Sequence, residues 1–242
     1  MRTLIFAKRN FKEIIRDPLS IIFAIILPLF LLYIFQQFKI PNEVYSIENF
    51  TPGIIIFSLA FITMFTASLV AKDRSTSFTA RLGVSPMKGI SYILGYSLAV
   101  IPLVLLQNIL FFIVAIMLGL SFSVNIIYTI LVVILISILF IMLGILIGTI
   151  TTEKSSSGVS SIVVQLVAFT SGIYFSTDIV GKTFGRICLI LPFKSTLDIT
   201  KGILNSSYDG MLKSSLIVVI YTIIIVLLAV FLFNKKMVSD NK

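Results

Sequence analysis

Residues 124–150 read VNIIYTILVVILISILFIMLGILIGTI, with no Asp, Glu, Lys, Arg or His anywhere in the run. A helix rising about 1.5 Å per residue needs roughly 20 apolar residues to cross a bilayer core. Inside lipid a single uninterrupted segment keeps its backbone hydrogen-bonded only as a helix. This stretch is therefore a membrane-spanning helix. Gly144 and Gly148 within it have the small-xxx-small spacing that lets two membrane helices approach closely.

Working outward, similar apolar blocks lie at about 18–38, 52–71, 92–118, 158–175 and 214–233. The expected fold is an all-α integral membrane domain of six transmembrane helices, a single unit over 1–242. Composition agrees: of 242 residues 58% are hydrophobic and 12% charged, with mean hydropathy +1.12. Soluble domains carry about twice that share of charge. The net charge of +9 does not signal nucleic acid, because the basic residues sit in short segments between apolar blocks, where they set topology and meet anionic lipid. Cys188 is the one cysteine and histidine is missing, which removes internal disulfides and the commonest proton shuttle.

The connecting segments carry their own signals. Residues 1–17 form a basic amphipathic helix suited to the membrane interface, with Leu4, Ala7, Phe11 and Ile14 on its apolar face; a solvated basic leader is the alternative. A cleaved signal peptide is not expected, since the apolar stretch that follows is too long and has no small-x-small site. Asp17-Pro18 is an N-cap with proline in the first turn, and Thr51-Pro52 is expected to open the second span likewise. Pro28 predicts a kink. The segment 72–91 is the longest basic loop, and 177–213 is a long mixed segment. With the N-terminus inside, thirteen Lys and Arg lie on the inner side and six on the outer, so both termini are expected in the cytoplasm.

The six cores lack ionisable residues. Proton- and ion-coupled transporters usually hold such groups near mid-membrane, and an intramembrane hydrolase needs a nucleophile with its base or metal ligands. Neither catalytic nor metal-ligating residues are expected, nor a cofactor on this chain. Gly181-Lys182-Thr183 resembles the end of a P-loop, but Ser176 stands where the first glycine belongs and no strand precedes it. Uphill transport would need an energy source outside the membrane domain. Uncharged polar residues do occur in the spans: Ser58, Thr63, Thr66 and Ser68, then Gln107 and Asn108, then Gln165, Thr170 and Ser171. Two readings stand for them, helix packing and the lining of a pathway.

Three segments together resemble the ABC-2 family of export permeases. They are Arg9-Asn10-Phe11-Lys12-Glu13-Ile14-Ile15-Arg16-Asp17-Pro18 with Leu27-Pro28; Lys72-Asp73-Arg74 with Arg81-Leu82-Gly83-Val84-Ser85-Pro86; and Ser171-Gly172-Ile173-Tyr174-Phe175 with Leu191-Pro192-Phe193 and Lys201-Gly202-Ile203-Leu204. The chain departs from the family in having Ser77-Phe78 and Ala80 where Gly-Thr and a glutamate are common. It also lacks a proline in 177–186.

The resemblance implies an interfacial helix, six spans and short re-entrant helices before the last one. It implies that the 72–91 loop couples to a separate ATPase, which would carry ATP and Mg. Lys72, Asp73, Arg74, Arg81, Leu82, Val84, Ser85 and Pro86 would form that contact, Leu82 and Val84 in an apolar groove and Arg74 and Arg81 pairing acidic residues at its rim. The alternative is a positive-inside loop that meets lipid headgroups. A second permease subunit, identical or not, would complete a pathway lined by Phe61, Thr63, Phe65, Thr66, Gln165, Phe169 and Thr170. The expectation is a permease subunit in a bacterial cytoplasmic membrane, exporting an amphipathic, drug-like, peptide or lipid-linked cargo. A passive channel or structural membrane protein without an ATPase is the competing reading.

Overall fold

The computed structural model describes residues 2–38, 43–75, 89–174 and 181–239. These form helices joined by turns, with no strand among the described residues. In chain order they are α1 (Arg2–Arg16), α2 (Pro18–Ile21), a π-helical turn (Ile22–Ile26), α3 (Leu27–Gln37), a 3-10 turn (Glu43–Tyr45), α4 (Ile47–Ser75) and α5 (Gly89–Met117). Then come α6 (Asn125–Ile150), α7 (Glu153–Thr170), α8 (Lys182–Ile190), α9 (Pro192–Leu204) and α10 (Met211–Ser239).

Four helices are long and apolar enough to cross a membrane: α4, α5, α6 and α10 through Lys236. Two further elements run between the same two ends of the bundle. One is the α2–α3 unit, whose apolar part covers Ile22–Gln37. Its Gln36 amide donates to the Tyr45 carbonyl at 3.0 Å, at the end away from α1. The other is α7, whose serine-rich first half dilutes its hydropathy. It begins beside Ser75 (Ser75 Oγ to Glu153 Oε2, 2.6 Å) and ends near Tyr45, whose hydroxyl donates to the Tyr174 carbonyl at 2.7 Å.

Local signals explain most boundaries. The Asp17 side chain accepts from the Leu19 N–H and Pro18 starts the helix. Pro28 has no N–H to give and would crowd the carbonyl one turn back. The chain accommodates it by widening into the π turn, in which the Leu27 N–H reaches the Ile22 carbonyl five residues away. Thr51-Pro52 does not open α4 as the sequence suggested. The helix starts at Ile47, after Ser46 accepts from the Asn49 and Phe50 N–H groups, and Pro52 falls in its second turn. The span expected at 158–175 is shifted, because a Thr152–Ser155 capping box starts α7 at Glu153. A turn with Gly172 at φ 86° follows its end.

Helix α4 is the central post. From Phe50 to Thr63 every residue is buried, with α6 and α7 as its main neighbours. Gly144 and Gly148 form the face of α6 against it. A Cβ at Gly144 would stand 2.6 Å from the Thr63 carbonyl oxygen, and one at Gly148 would stand 2.5 Å from that of Ala67. Such close backbones also let Thr63 Oγ1 donate across to the Phe140 carbonyl at 2.9 Å.

Helix α1 packs on α5. Phe6 meets Tyr92 and Tyr96 edge-on, with ring centroids 5.4 and 4.9 Å apart. Its buried face is Phe6, Ala7, Asn10 and Ile14. Of the expected apolar face, Ala7 and Ile14 turn to the protein and Leu4 stays 63% exposed. Phe6 wins the inward position because its ring seats over Gly95, where a Cβ would lie 2.4 Å from it.

Candidate functional site

The last turn of α4 gathers polar side chains from α1, α5 and the start of α7. Arg9 of α1 donates from Nη1 to both carboxylate oxygens of Asp73, each at 2.7 Å. The Tyr96 hydroxyl of α5 donates to Asp73 Oδ2 at 2.8 Å. Glu13, one turn after Arg9, pairs with Arg9 Nη2 at 2.8 Å and with Lys72 Nζ at 2.9 Å. Asp73 is only 1% exposed, and a buried carboxylate is tolerable only when paired and hydrogen-bonded. Here the cation comes from one helix and the hydroxyl from another, so α1, α4 and α5 are joined at one point. Partial burial acts to lower the pKa of Arg9, but Asp73 and Glu13 outweigh it and the guanidinium holds its proton more tightly than usual.

Arg74 serves the neighbouring helix. Its Nη1 donates to the carbonyls of Gly148 at 3.0 Å, of Thr149, and of Thr151 at 3.3 Å. The final carbonyls of a helix have no partner within it, and a charged donor there is stronger than a neutral one. The sequence reading turned Arg74 outward to an acidic rim on a partner; within the protomer its Nη1 lies on these carbonyls. Asp73 likewise faces inward. Of the three, Lys72 alone is well exposed, and it is held by Glu13. Arg81, Leu82, Val84, Ser85 and Pro86 lie outside the described residues.

Beside this junction runs a groove of 850 Å³ between α1, α4 and the start of α7, with Lys8, Lys12 and Arg16 on one wall and Phe65 and Leu69 on the other. The spacing of those cations puts them on one stripe of α1.

The remaining residues expected to line a pathway separate into two groups. Phe61, Thr63, Thr66 and Thr170 are buried within the protomer. Thr63 is bonded to α6 as described, and Thr170 Oγ1 donates to the Leu166 carbonyl at 2.6 Å. Phe61 stacks on Phe23 at 5.9 Å, and Phe65 is half-buried on the groove. Apart from Phe65, these side chains are enclosed within one protomer. Gln165 and Phe169 instead lie on the exposed face of α7.

Gln165 belongs to a stripe that the sequence reading missed. Ser157, Ser161 and Gln165 are all exposed at four-residue spacing, while Ser156, Ser160 and Val164 form the buried face against α4. Exposed Ile162, Leu166 and Phe169 flank the stripe. The signal was available in the i, i+4, i+8 recurrence of polar residues, but a run of five serines within 155–161 obscured which ones share a face.

A family model described as ABC-2 type transporter matches residues 1–205. The chain belongs to the ABC-2 type transporter family. The match takes in α1 through α9 and the whole Arg9–Asp73–Tyr96 junction. A comparison with curated proteins gave no match. As an ABC-2 membrane domain the chain is a multi-pass membrane protein and a permease component of an ABC transporter. Among the described residues of this ABC-2 permease, no group of His, Cys, Asp and Glu is placed to hold a metal ion.

Proposed function

We propose that this ABC-2 permease is the membrane subunit of an ATP-driven exporter in a bacterial cytoplasmic membrane, with both termini in the cytoplasm. It has six spans, α2–α3 and α7 joining the four long apolar helices, and α8 and α9 dip into the outer leaflet without crossing. ATP and Mg are handled by a separate ATPase, which docks at the end of the bundle where α4 finishes. Its push reaches the spans through the Arg9–Asp73–Tyr96 junction, because that cluster ties the interfacial helix to two spans at once.

The observation that carries this reading is the polar stripe of α7. Ser157, Ser161 and Gln165 face outward from a single protomer, where lipid offers no hydrogen bonds. A second permease subunit, identical or related, laid against α7 encloses the stripe and makes it one wall of a pathway. Flanked by Ile162, Leu166 and Phe169, that wall suits an amphipathic cargo such as a drug-like molecule, a peptide or a lipid-linked compound.

Reconstitution tests it. Vesicles holding the chain alone should show no uphill transport, with or without a pH gradient. Adding the ATPase and ATP should produce it, and a hydrolysis-dead ATPase should abolish it. Accumulation driven by protons alone would overturn the proposal.

A further inference from the structure

At the end of the bundle away from α1, the α9–α10 turn closes one side of a 460 Å³ cavity that three lysines share: Lys194 and Lys201 of α9 and Lys213 of α10. Lys194 and Lys201 stand seven residues apart, on one face of α9. Their surroundings differ. Lys194 Nζ is held by Asp198 at 2.8 and 3.0 Å, so that pair is neutral. Lys201 is half-buried, and among the described residues no carboxylate lies within ion-pairing distance of it or of Lys213. Burial pushes the Lys201 ammonium down from its usual pKa, and Lys194 adds to this while Asp198 opposes it. The other carboxylate on the cavity is Asp209, exposed at its edge. Two lysines against one carboxylate leave a surplus of one positive charge.

The rest of the wall is largely polar, and the Asn205 amide on it donates to Asn49 Oδ1 at 3.4 Å. Ser195, Asn205, Ser207 and Ser214 line it. The turn that presents Asn205 and Ser207 is fixed by its own contacts. Asn125 Nδ2 donates to the Leu204 carbonyl at 3.1 Å and to Ser206 Oγ at 2.7 Å. Ser206 is thereby held at φ 55°, a backbone region that residues other than glycine rarely occupy. The Ser207 N–H closes on the Gly202 carbonyl at 2.9 Å. A fixed frame lets lysines bind without first ordering a loop.

One edge of the cavity is apolar. Leu189 and Ile217 border it, and beyond them α10 exposes Leu216, Val219, Ile220 and Ile223, the surface a membrane helix gives to acyl chains. We infer that this cavity is a phosphate-binding site, fitted to the phosphodiester of a membrane-lipid headgroup whose acyl chains lie along α10. The single surplus charge matches a phosphodiester monoanion, and the apolar edge favours a lipid over free phosphate. The inference goes beyond transport and does not require the ATPase.

The test is native mass spectrometry of the delipidated full-length protein titrated with phosphatidylglycerol, with diacylglycerol and inorganic phosphate as comparison arms. One phosphatidylglycerol should survive conditions that strip the others. Lys201→Met with Lys213→Gln should lower its occupancy about tenfold or more, the scale of losing charge-assisted hydrogen bonds. Lys201→Arg should retain it, and diacylglycerol should not replace it. Competition by millimolar inorganic phosphate without stable phosphatidylglycerol binding would mark free phosphate as the ligand of the same site. If the double variant does not fold, Lys213→Gln alone, at an exposed position, should still weaken binding severalfold. Undiminished phosphatidylglycerol in the lysine variants, or equal retention of diacylglycerol, would overturn the inference. So would loss of the lipid only on Lys8→Gln with Lys12→Gln, which would place it in the groove beside α1.

Discussion

Arg9 and Asp73 meet across 64 positions of sequence, one guanidinium nitrogen standing 2.7 Å from both carboxylate oxygens. Arg9 belongs to a helix that precedes the first span, and Asp73 to the last turn of the most buried helix in the bundle. A displacement of α1 therefore cannot leave α4 unaffected without stranding a buried charge. The Tyr96 hydroxyl on the same carboxylate extends the constraint to α5.

This makes Arg9→Ala the most damaging single change at the junction. Removing one partner of a fully buried ion pair costs about 3–5 kcal/mol, and the loss here should fall below that because the Arg9 side chain is 38% exposed while Asp73 is buried. Asp73→Asn keeps the shape and removes the charge, so its loss should be smaller. Thermal unfolding of the purified permease should rank them in that order. Arg9→Ala combined with Asp73→Ala should be milder than the sum of the single changes. Strict additivity would show that the two residues do not act as a pair.

Packing of α4 against α6 gives a second expectation. Gly144→Ala and Gly148→Ala each drive a methyl group into a backbone carbonyl of α4, and overpacking of this kind costs about 1–3 kcal/mol. At Gly158 an added Cβ has nothing within 4 Å. Alanine there should be neutral or stabilise by up to about 1 kcal/mol, the difference in helix propensity. Unfolding midpoints of the three variants decide it, and equal midpoints would show that the α4–α6 approach is not close.

Much of the fold was legible because hydropathy and length suffice for helices such as α5, α6 and α10. Helix α7 was harder to place, because its serines lower the hydropathy of a helix that buries one face and exposes another. The Asp73 pairing was not legible at all. Lys72-Asp73-Arg74 looks in sequence like a solvated basic turn, and only the fold brings Arg9 and Tyr96 to the carboxylate and the α6 terminus to Arg74. The pathway residues show the same limit. Thr63 and Gln165 are both polar residues in apolar helices, but α6 covers the first and leaves the second outside.

Topology is testable in a Cys188→Ser background. Single cysteines at Glu43 and Asp209 should react with an impermeant thiol reagent in intact cells. Cysteines at Lys12 and Lys154 should react only after the membrane is opened. The first two sites lie at one end of the bundle and the last two at the other. Labelling of Lys154 from outside would invert the arrangement and remove the ATPase from the α4 terminus.

The α7 stripe offers the sharpest separation of packing from pathway. Gln165 is exposed on the protomer, so Gln165→Leu removes a polar group without opening a cavity or stranding a buried partner. Stability of the isolated subunit should change by no more than about 0.5 kcal/mol, as for most surface substitutions. Transport in the reconstituted exporter should fall severalfold, with ATPase binding and subunit assembly intact. Thr170→Val is the matched control. Its hydroxyl is buried and bonded within its own helix, so its removal should affect stability more than cargo selectivity. Loss of subunit assembly in Gln165→Leu would make the residue a packing contact between permeases. Unchanged transport with unchanged assembly would show that the stripe faces neither cargo nor partner, and the pathway would then have to be sought on another face of the bundle.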